Sequence, residues 1–551
     1  MEFVTFDSVN KVWKGPEINS IFNPNASLGE IILSVLAKTP NHITQISYDT
    51  GQKITCSEMR IKSICVTENL KKLGYKIGDR FAIVSRNNAD VAPIVYGCFI
   101  LGTPIHCLEP NFEADDLAGM FRLSKPKLVF CEEFNQDFVI KALEICELHD
   151  TKIMLFGESS KGENIKKNLF TKSSNTNFDY YLPQLIPNPD QHPAVILCSS
   201  GTTGPSKAVF ISHSQLIGQI TSHWEAHYDD SYLLFTTIYW VSSLVKLIHA
   251  TASGMTNVIT TEPFDPDRLC KIVELYKVTT VMAPPMYVAK LLEKLENCTK
   301  QNLPDLSSIR LFITGGAFVS NDLRIRLQKF LKPNYGQVVI GLGMTEIAGL
   351  AIMSYPINKM GAAGLLRPMF QAKIVDDDGN RLGYNEHGEI CYNYPYKFLG
   401  YLSNDKANKD IFDEEGWIRS GDIGYFDVDN QFHIIDRKKD IFKHMGHHIS
   451  PSEIEVFLQQ KLGIMEFCVV GIEDLEDYPA ALIIKPNGFE MSENNIIKIV
   501  EENLPAYKHL KGGCYFIEKL PLTPSGKIQR RIAKLLAKEL YEKRQKIEEK
   551  K

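Results

Sequence analysis

Nine consecutive residues, Ser199-Ser200-Gly201-Thr202-Thr203-Gly204-Pro205-Ser206-Lys207, bring together a run of hydroxyls, two glycines and a lysine. Glycines let a backbone approach an anion closely, and Ser/Thr hydroxyls, main-chain N–H groups and a lysine can then donate to its oxygens. The apolar runs 194–198 and 208–211 flank the stretch and predict strands on both sides. The segment therefore reads as a strand–loop–strand unit able to wrap a polyphosphate, with a polar turn between strands as the plain alternative. It does not have Walker spacing. Only two residues separate Gly201 from Gly204, Lys207 comes three later, and Ala208 follows it. A P-loop NTPase is excluded on that spacing.

Further on, Gly341-Leu342-Gly343-Met344-Thr345-Glu346 follows the apolar run 338–340. Thr345 offers a phosphate a hydroxyl, and Glu346 offers a hard carboxylate of the kind that holds Mg²⁺. Thr314-Gly315-Gly316-Ala317 follows another apolar run, 311–313. Between 417 and 455 the chain reads Trp417-Ile418-Arg419-Ser420-Gly421-Asp422, then Asp436-Arg437-Lys438-Lys439-Asp440, Lys443 and Gly446, then Pro451-Ser452-Glu453-Ile454-Glu455. Near the end, Pro521-Leu522-Thr523-Pro524-Ser525-Gly526-Lys527 sets a lysine on a Pro/Gly-rich loop, where its point charge can swing.

Taken in order, these segments resemble the signatures of the adenylate-forming superfamily of acyl-CoA synthetases, 4-coumarate–CoA ligases and beetle luciferases. The resemblance covers nearly the whole chain. It implies that Ser199, Ser200, Thr202, Thr203 and Lys207 hold the phosphates of ATP, and that Gly315, Gly316 and Ala317 pass close to the adenine and the acyl group. Gly343 falls in the segment that ends in Thr345 and Glu346, with Glu346 the Mg²⁺ ligand. Asp422 takes both ribose hydroxyls and Arg437 reaches the ribose. Lys527 serves acyl-adenylate formation, Lys443 with Gly446 serves the transfer to CoA, and Lys439 lies at a hinge. The implied reaction activates a fatty or aryl carboxylic acid through an acyl-adenylate and hands it to CoA, as in fatty acid metabolism.

The chain departs from the family pattern at several points. Ala208 stands where the loop usually ends in glycine, Leu342 where a tyrosine stacks on adenine, and His448 where glutamine is common. The segment that usually carries a histidine gating the acyl pocket reads Ile238-Tyr239-Trp240-Val241-Ser242-Ser243 here, which makes Tyr239 and Trp240 the candidate pocket residues. Two other outcomes stay open: a luciferase-like monooxygenase that oxidises its adenylate, and a degenerate nucleotide-binding protein without activity. The specific acid and the oligomeric state are not encoded in these motifs.

Composition fits a nucleotide-using enzyme. The 551 residues are 44% hydrophobic and 10% aromatic, and the formal charge is −5. A chain without a basic field is not a general nucleic-acid binder. Its twelve cysteines contain no Cys-x-x-Cys pair, which argues against a zinc site or a disulfide framework and predicts buried thiols. No apolar run reaches the ~18 residues of a membrane span. The N-terminus has no secretory signal and the C-terminus has no Ser-Lys-Leu address, so the expected compartment is the cytoplasm, with the peroxisome as the alternative.

Strand-like runs alternating with helical stretches predict an α/β fold. The resemblance divides it into a large N-terminal domain (1–435) of two doubly wound subdomains plus a β-barrel, a hinge (436–440) and a small mobile α+β C-terminal domain (441–551). Residues 157–190 read as a polar mobile connector, strands shorten from Glu389, and a terminal helix is expected after Lys534.

Overall fold

The computed structural model describes residues 4–23, 25–157, 162–199, 207–222, 229–317, 319–354, 361–464, 466–474, 476–486, 488–522 and 528–548. Two sheets dominate it. One has seven strands in the order Lys207–Ser212, Pro193–Ser199, Ile105–Leu108, Phe81–Val84, Leu128–Cys131, Lys152–Leu155 and Glu163–Asn164. All its pairings are parallel except that between the first two strands. The other has nine strands, with Gln337–Met344, Leu311–Gly315, Thr280–Met282, Ser231–Leu234, Thr256–Ile259 and Ile43–Ser47 as its parallel centre. Parallel strands need helices on both faces, and their residues accordingly read as near-continuous apolar runs. Phe81–Val84, Ile105–Leu108 and Leu128–Cys131 are buried at every position.

A third sheet is antiparallel: Thr5–Asp7, Val12–Lys14, Gln371–Val375, Gly388–Asn393, Ile418–Phe426 and Phe432–Arg437. Asn430 Nδ2 donates to Val4 O at 3.1 Å, linking its two ends. Trp13 stacks on Phe426 at 4.5 Å inside the curl. The last part of the chain builds a small three-stranded sheet, Phe467–Glu473, Asp477–Ile484 and Cys514–Ile517, and a hairpin, Phe442–His444 with His447–Ile449. The helices Pro451–Leu462 and Arg530–Glu548 pack on the small sheet through Leu458, Ala533 and Ala537. The α/β architecture with a large N-terminal and a smaller C-terminal part is thus present.

Three local expectations change. The stretch 157–190 is not featureless: Glu163–Asn164 extends the seven-stranded sheet and Ile165–Leu169 is a helix. Asn164 caps that helix by accepting from Lys167 N at 3.1 Å, while Ile165 and Leu169, four residues apart, share a buried face. Strands do not simply shorten after Glu389, because Ile418–Phe426 is nine residues long with strictly alternating burial. Its apolar positions are diluted by Ser420, Gly421, Asp422 and Gly424, which hides the period. The terminal helix begins at Arg530, four residues earlier than expected. All twelve cysteines are free thiols and ten are buried. Among the described residues no helix is long and apolar enough to cross a membrane.

Arg530 joins the terminal helix to the small sheet by a two-pronged pair with Glu455, Nη1–Oε1 and Nη2–Oε2 each 2.9 Å, and Nη1 also donates to Val469 O at 2.6 Å. Glu455 accepts from Val469 N at 2.8 Å as well. Removing one member strands a buried charge. Arg530→Ala is expected to lower the unfolding free energy by ~3 kcal/mol in urea denaturation, and a loss below ~1 kcal/mol, the level of an exposed pair, contradicts this.

Candidate functional site

The expected site residues converge where the two large sheets and the antiparallel sheet meet. Ser199 and Lys207 are directly paired, Cα opposite Cα, at the open end of an antiparallel pair, so the chain leaves one strand and enters the next at a single point. Ser200, Thr202 and Thr203 lie between them, outside the described residues. The segment Gly400–Leu402 runs along the outer strand, with Phe210 N donating to Gly400 O at 3.0 Å and Leu402 N to Ala208 O at 2.8 Å. This places the ring of Tyr401 under Lys207, whose Nζ sits 4.6 Å from the ring centroid.

The hydroxyl of Tyr401 donates to Glu346 Oε1 at 2.7 Å. Glu346 is 7% exposed, and among the described residues no basic side chain pairs with it. Burial, followed by the Glu346 charge and this hydrogen bond, holds the Tyr401 phenol well above its usual range. The turn carrying Glu346, Thr345–Ile347, is fixed from below by the helix His213–Thr221. That helix starts with a capping box, Ser212 Oγ accepting from Gln215 N and Gln215 Oε1 from Ser212 N. Its glutamines then reach the turn, Gln215 Nε2 donating to Glu346 O at 3.1 Å and Gln219 Nε2 to Ile347 O at 3.0 Å.

Two glycines on the candidate list are required by contact. A Cβ on Gly315 would lie 2.2 Å from Gly341 O, and one on Gly343 would lie 1.9 Å from Gly349 O. No other residue fits these backbones as they stand. Gly316 and Ala317 follow at the exposed end of the strand Leu311–Gly315. Thr345 opens the turn beside them, half-buried.

Asp422 and Arg437 are Cα partners across the antiparallel ladder. Asp422 is 4% exposed, and Arg437 Nε lies 2.7 Å from its Oδ1. The contact brings charge to charge without a hydrogen-bond angle, so this buried oxygen is left without a donor. Burial pushes the Asp422 carboxyl up from its ordinary value, opposed by Arg437 and then Lys439. Lys439 is drawn into the same group. Burial lowers its ammonium, Arg437 and Lys207 lower it further, and Asp440 and Asp422 oppose them. Arg437 and Lys439 therefore lie beside the buried Asp422 carboxylate and Lys207 within electrostatic range of Lys439, a cationic rim next to an acceptor that has an ionic partner but no hydrogen-bond donor among the described residues. Such a rim suits a polyanion, and the acceptor suits a hydroxyl.

Other expected residues lie apart. Lys443 is exposed on the hairpin Phe442–His444/His447–Ile449, opposite His448, and makes no ion pair among the described residues. Gly446 forms the turn of that hairpin with Met445, both at positive φ, and Met445 N donates to Glu476 Oε2 at 2.7 Å. Lys527 lies outside the described residues. Tyr239 is buried, edge-on to Trp240 at 4.8 Å and to Phe112 at 5.4 Å, and Trp240 caps the helix Val241–Ala252. Sequence reasoning missed Tyr401, whose Gly-Tyr context looks like any aromatic turn. It also missed Glu109, a carboxylate directly after the apolar strand Ile105–Leu108 and before Pro110, and that position was the available signal.

Known proteins resemble this chain over most of its length. The AMP-binding enzyme family matches residues 34–402, and the AMP-binding enzyme C-terminal domain matches 453–527. A luciferin 4-monooxygenase from Luciola mingrelica is 28% identical over 547 residues, spanning 95% of this chain and 94% of its own. A 4-coumarate–CoA ligase from Humulus lupulus is 28% identical over 511 residues, spanning 89% and 90%. The crystal structure of ATP-bound MatB from Rhodopseudomonas palustris superposes with a TM-score of 0.83 at 23% identity, over 94% of this chain and 100% of that one, which shows a shared fold. With a family match spanning most of its length and a second over its C-terminal part, the chain belongs to the AMP-binding enzymes, the adenylate-forming superfamily.

Proposed function

We propose that this protein is an AMP-forming acid–thiol ligase that activates a fatty or aryl carboxylic acid with ATP and transfers the acyl group to CoA. The observation that carries the reading is the buried Asp422 carboxylate, whose Oδ1 is ion-paired with Arg437 but meets no hydrogen-bond donor among the described residues, beside Lys439 and Lys207. A ribose supplies the missing hydroxyl donors, and the triphosphate supplies negative charge for the rim. Glu346 is the residue that would hold Mg²⁺, since it is a buried carboxylate with no cation of its own. Bound there, the ion would neutralise phosphate charge.

In the first half-reaction a carboxylate oxygen of the acid attacks the α-phosphorus, the bond to the bridging oxygen breaks, and pyrophosphate leaves. Lys207, held on the face of Tyr401, donates to the phosphates together with the hydroxyls of Ser199, Ser200, Thr202 and Thr203. Thr345 adds a hydroxyl, and Lys527 places positive charge between the acid and the α-phosphate. Gly315, Gly316, Ala317 and Gly343 give the nucleotide and acyl group close backbone surfaces, and Tyr239 with Trp240 walls the acyl end. In the second half-reaction the CoA sulfur attacks the acyl carbon, its proton is lost, and the carbon–oxygen bond to AMP breaks. The hairpin carrying Lys443 and Gly446 serves that step, reached by rotation of a C-terminal domain (441–551) about 436–440.

The direct test is a panel of carboxylic acids scored for pyrophosphate and for CoA thioester. At least one acid is expected to give pyrophosphate, AMP and thioester in equal amounts. Pyrophosphate without thioester, or light with luciferin and oxygen, would replace CoA transfer by adenylate-only or oxygenase chemistry, and release of ADP would overturn the proposal.

Asp422→Ala should weaken ATP binding in calorimetry by ~1.5–3 kcal/mol, the worth of charge-assisted hydrogen bonds; an unchanged affinity removes Asp422 from the nucleotide site. The two lysines should separate the half-reactions. Lys527→Ala should slow acyl-adenylate formation ~10²–10³-fold and leave thioester formation from pre-made adenylate close to wild type, while Lys443→Ala should show the opposite bias. Single-turnover kinetics from both starting points decides this, and equal slowing of both halves by Lys527→Ala contradicts domain alternation.

A further inference from the structure

Glu109 stands at the carboxyl edge of the seven-stranded sheet, directly after the strand Ile105–Leu108. Pairing of Ile105 with Val195 and His106 with Ile196 carries this strand end to the same edge as Ser199, where the candidate phosphate loop begins. In open α/β sheets, ligands bind at that edge. Glu109 is 5% exposed, and its carboxylate receives two long side-chain hydrogen bonds, from Thr237 Oγ1 to Oε2 at 3.4 Å and from Asn111 Nδ2 to Oε1 at 3.2 Å, together with one from the Asn111 main chain. No lysine, arginine or histidine pairs with it among the described residues.

Glu132 shows what a satisfied carboxylate looks like at this edge. It follows the strand Leu128–Cys131 in the same way, yet Arg86 Nη2 lies 2.6 Å from its Oε2, Arg86 N donates to Oε1 at 2.7 Å and Ser85 Oγ at 3.1 Å. A buried carboxylate without such partners is costly to keep. Its surroundings point toward the acyl site. Thr237 belongs to the segment that continues into Tyr239 and Trp240, Phe112 lies edge-on to Tyr239, and Tyr287, stacked on Phe264 at 4.0 Å, lies within range of the Glu109 charge. Burial pushes the Glu109 carboxyl up to about 7, against the Thr237 and Asn111 hydrogen bonds.

We propose that Glu109 is a specificity-determining residue that accepts a hydrogen bond from a hydroxyl or amine on the acid, so the protein selects acids bearing a polar donor over their plain counterparts. This inference rests on the acid-activation reading. The groups within range of the Glu109 charge change little around neutrality: burial holds the Tyr239 and Tyr287 phenols above their usual range, and Tyr239 in turn feels Cys198, whose thiol burial pushes up to about 12, and Asp116 on the helix Ala114–Ser124. Selection for donor-bearing acids should therefore rise with pH as the Glu109 carboxyl ionises near 7.

The test compares matched acids, 3-phenylpropenoic acid with its 4-hydroxy form and hexanoic acid with 6-aminohexanoic acid. The readouts are kcat/KM for pyrophosphate release and thermal-shift binding, each in the wild type, Glu109→Gln and Glu109→Leu. In at least one pair the wild type should favour the donor-bearing acid by ~10-fold or more, the scale of a hydrogen bond to a charged group, increasingly so above pH 7. Glu109→Gln, of equal size, should lose the pH dependence of that ratio, and Glu109→Leu should abolish or invert the preference. A ratio that is the same in all three proteins, or insensitive to pH in the wild type, overturns the role of Glu109. Absence of pyrophosphate with every acid contradicts the activation reading instead, and the binding ratios then still decide the selectivity claim.

Discussion

A carboxylate taken out of water needs compensating charge or donors, and the proposed nucleotide site is organised around one that is only partly compensated. Asp422 is fixed by the strand ladder opposite Arg437, buried, and its Oδ1 has Arg437 as an ionic partner but no hydrogen-bond donor among the described residues. Beside it, burial holds the Lys439 ammonium below its ordinary value, with Arg437 and Lys207 lowering it further and Asp440 and Asp422 opposing them. Bound as proposed, a nucleotide would bring hydroxyl donors to the carboxylate and negative charge to the cations.

The elements that hold this arrangement come from distant parts of the chain. Lys207 and Glu346 are brought together by one aromatic ring, Tyr401, which is itself held by main-chain pairing of 400–402 with the strand Lys207–Ser212. The strand Phe432–Arg437 ends at Arg437, and Asp436 just before it accepts from Ser450 Oγ at 2.7 Å and Ser452 N at 3.0 Å. The start of the helix Pro451–Leu462 is therefore tied to the last residues of the antiparallel sheet. A switch between two orientations of the C-terminal part has to break or carry along those two bonds, a modest barrier of the kind that gating motions require.

Much of the site is readable in the sequence because its chemistry is local. Gly315 and Gly343 are required by backbone contacts at strand ends, and hydroxyl-rich loops after apolar runs mark where strands open. Strand character was clear for 194–198, where burial is continuous, and for 208–211, where only Phe210 is partly exposed, and obscured in Ile418–Phe426, where polar candidate-site residues occupy the strand itself. What the sequence did not reveal depends on contacts made in three dimensions. Tyr401 acquires its role from an acceptor 55 residues away in the chain. Lys439, expected only at a hinge, also feels Asp422 and Lys207. Glu109 shows in the sequence only as a carboxylate directly after an apolar strand, and its burial without a basic partner among the described residues is seen only in the fold.

The central claim is that an oxygen of the acid becomes bonded to the α-phosphorus of ATP and departs with AMP. Turnover with a carboxylic acid labelled with oxygen-18 in both carboxyl oxygens, followed by mass spectrometry of the nucleotide and of pyrophosphate, reads that atom directly. The account predicts one labelled oxygen in AMP, one in the thioester carbonyl and none in pyrophosphate. Label in pyrophosphate or inorganic phosphate, or unlabelled AMP alongside thioester, would contradict it.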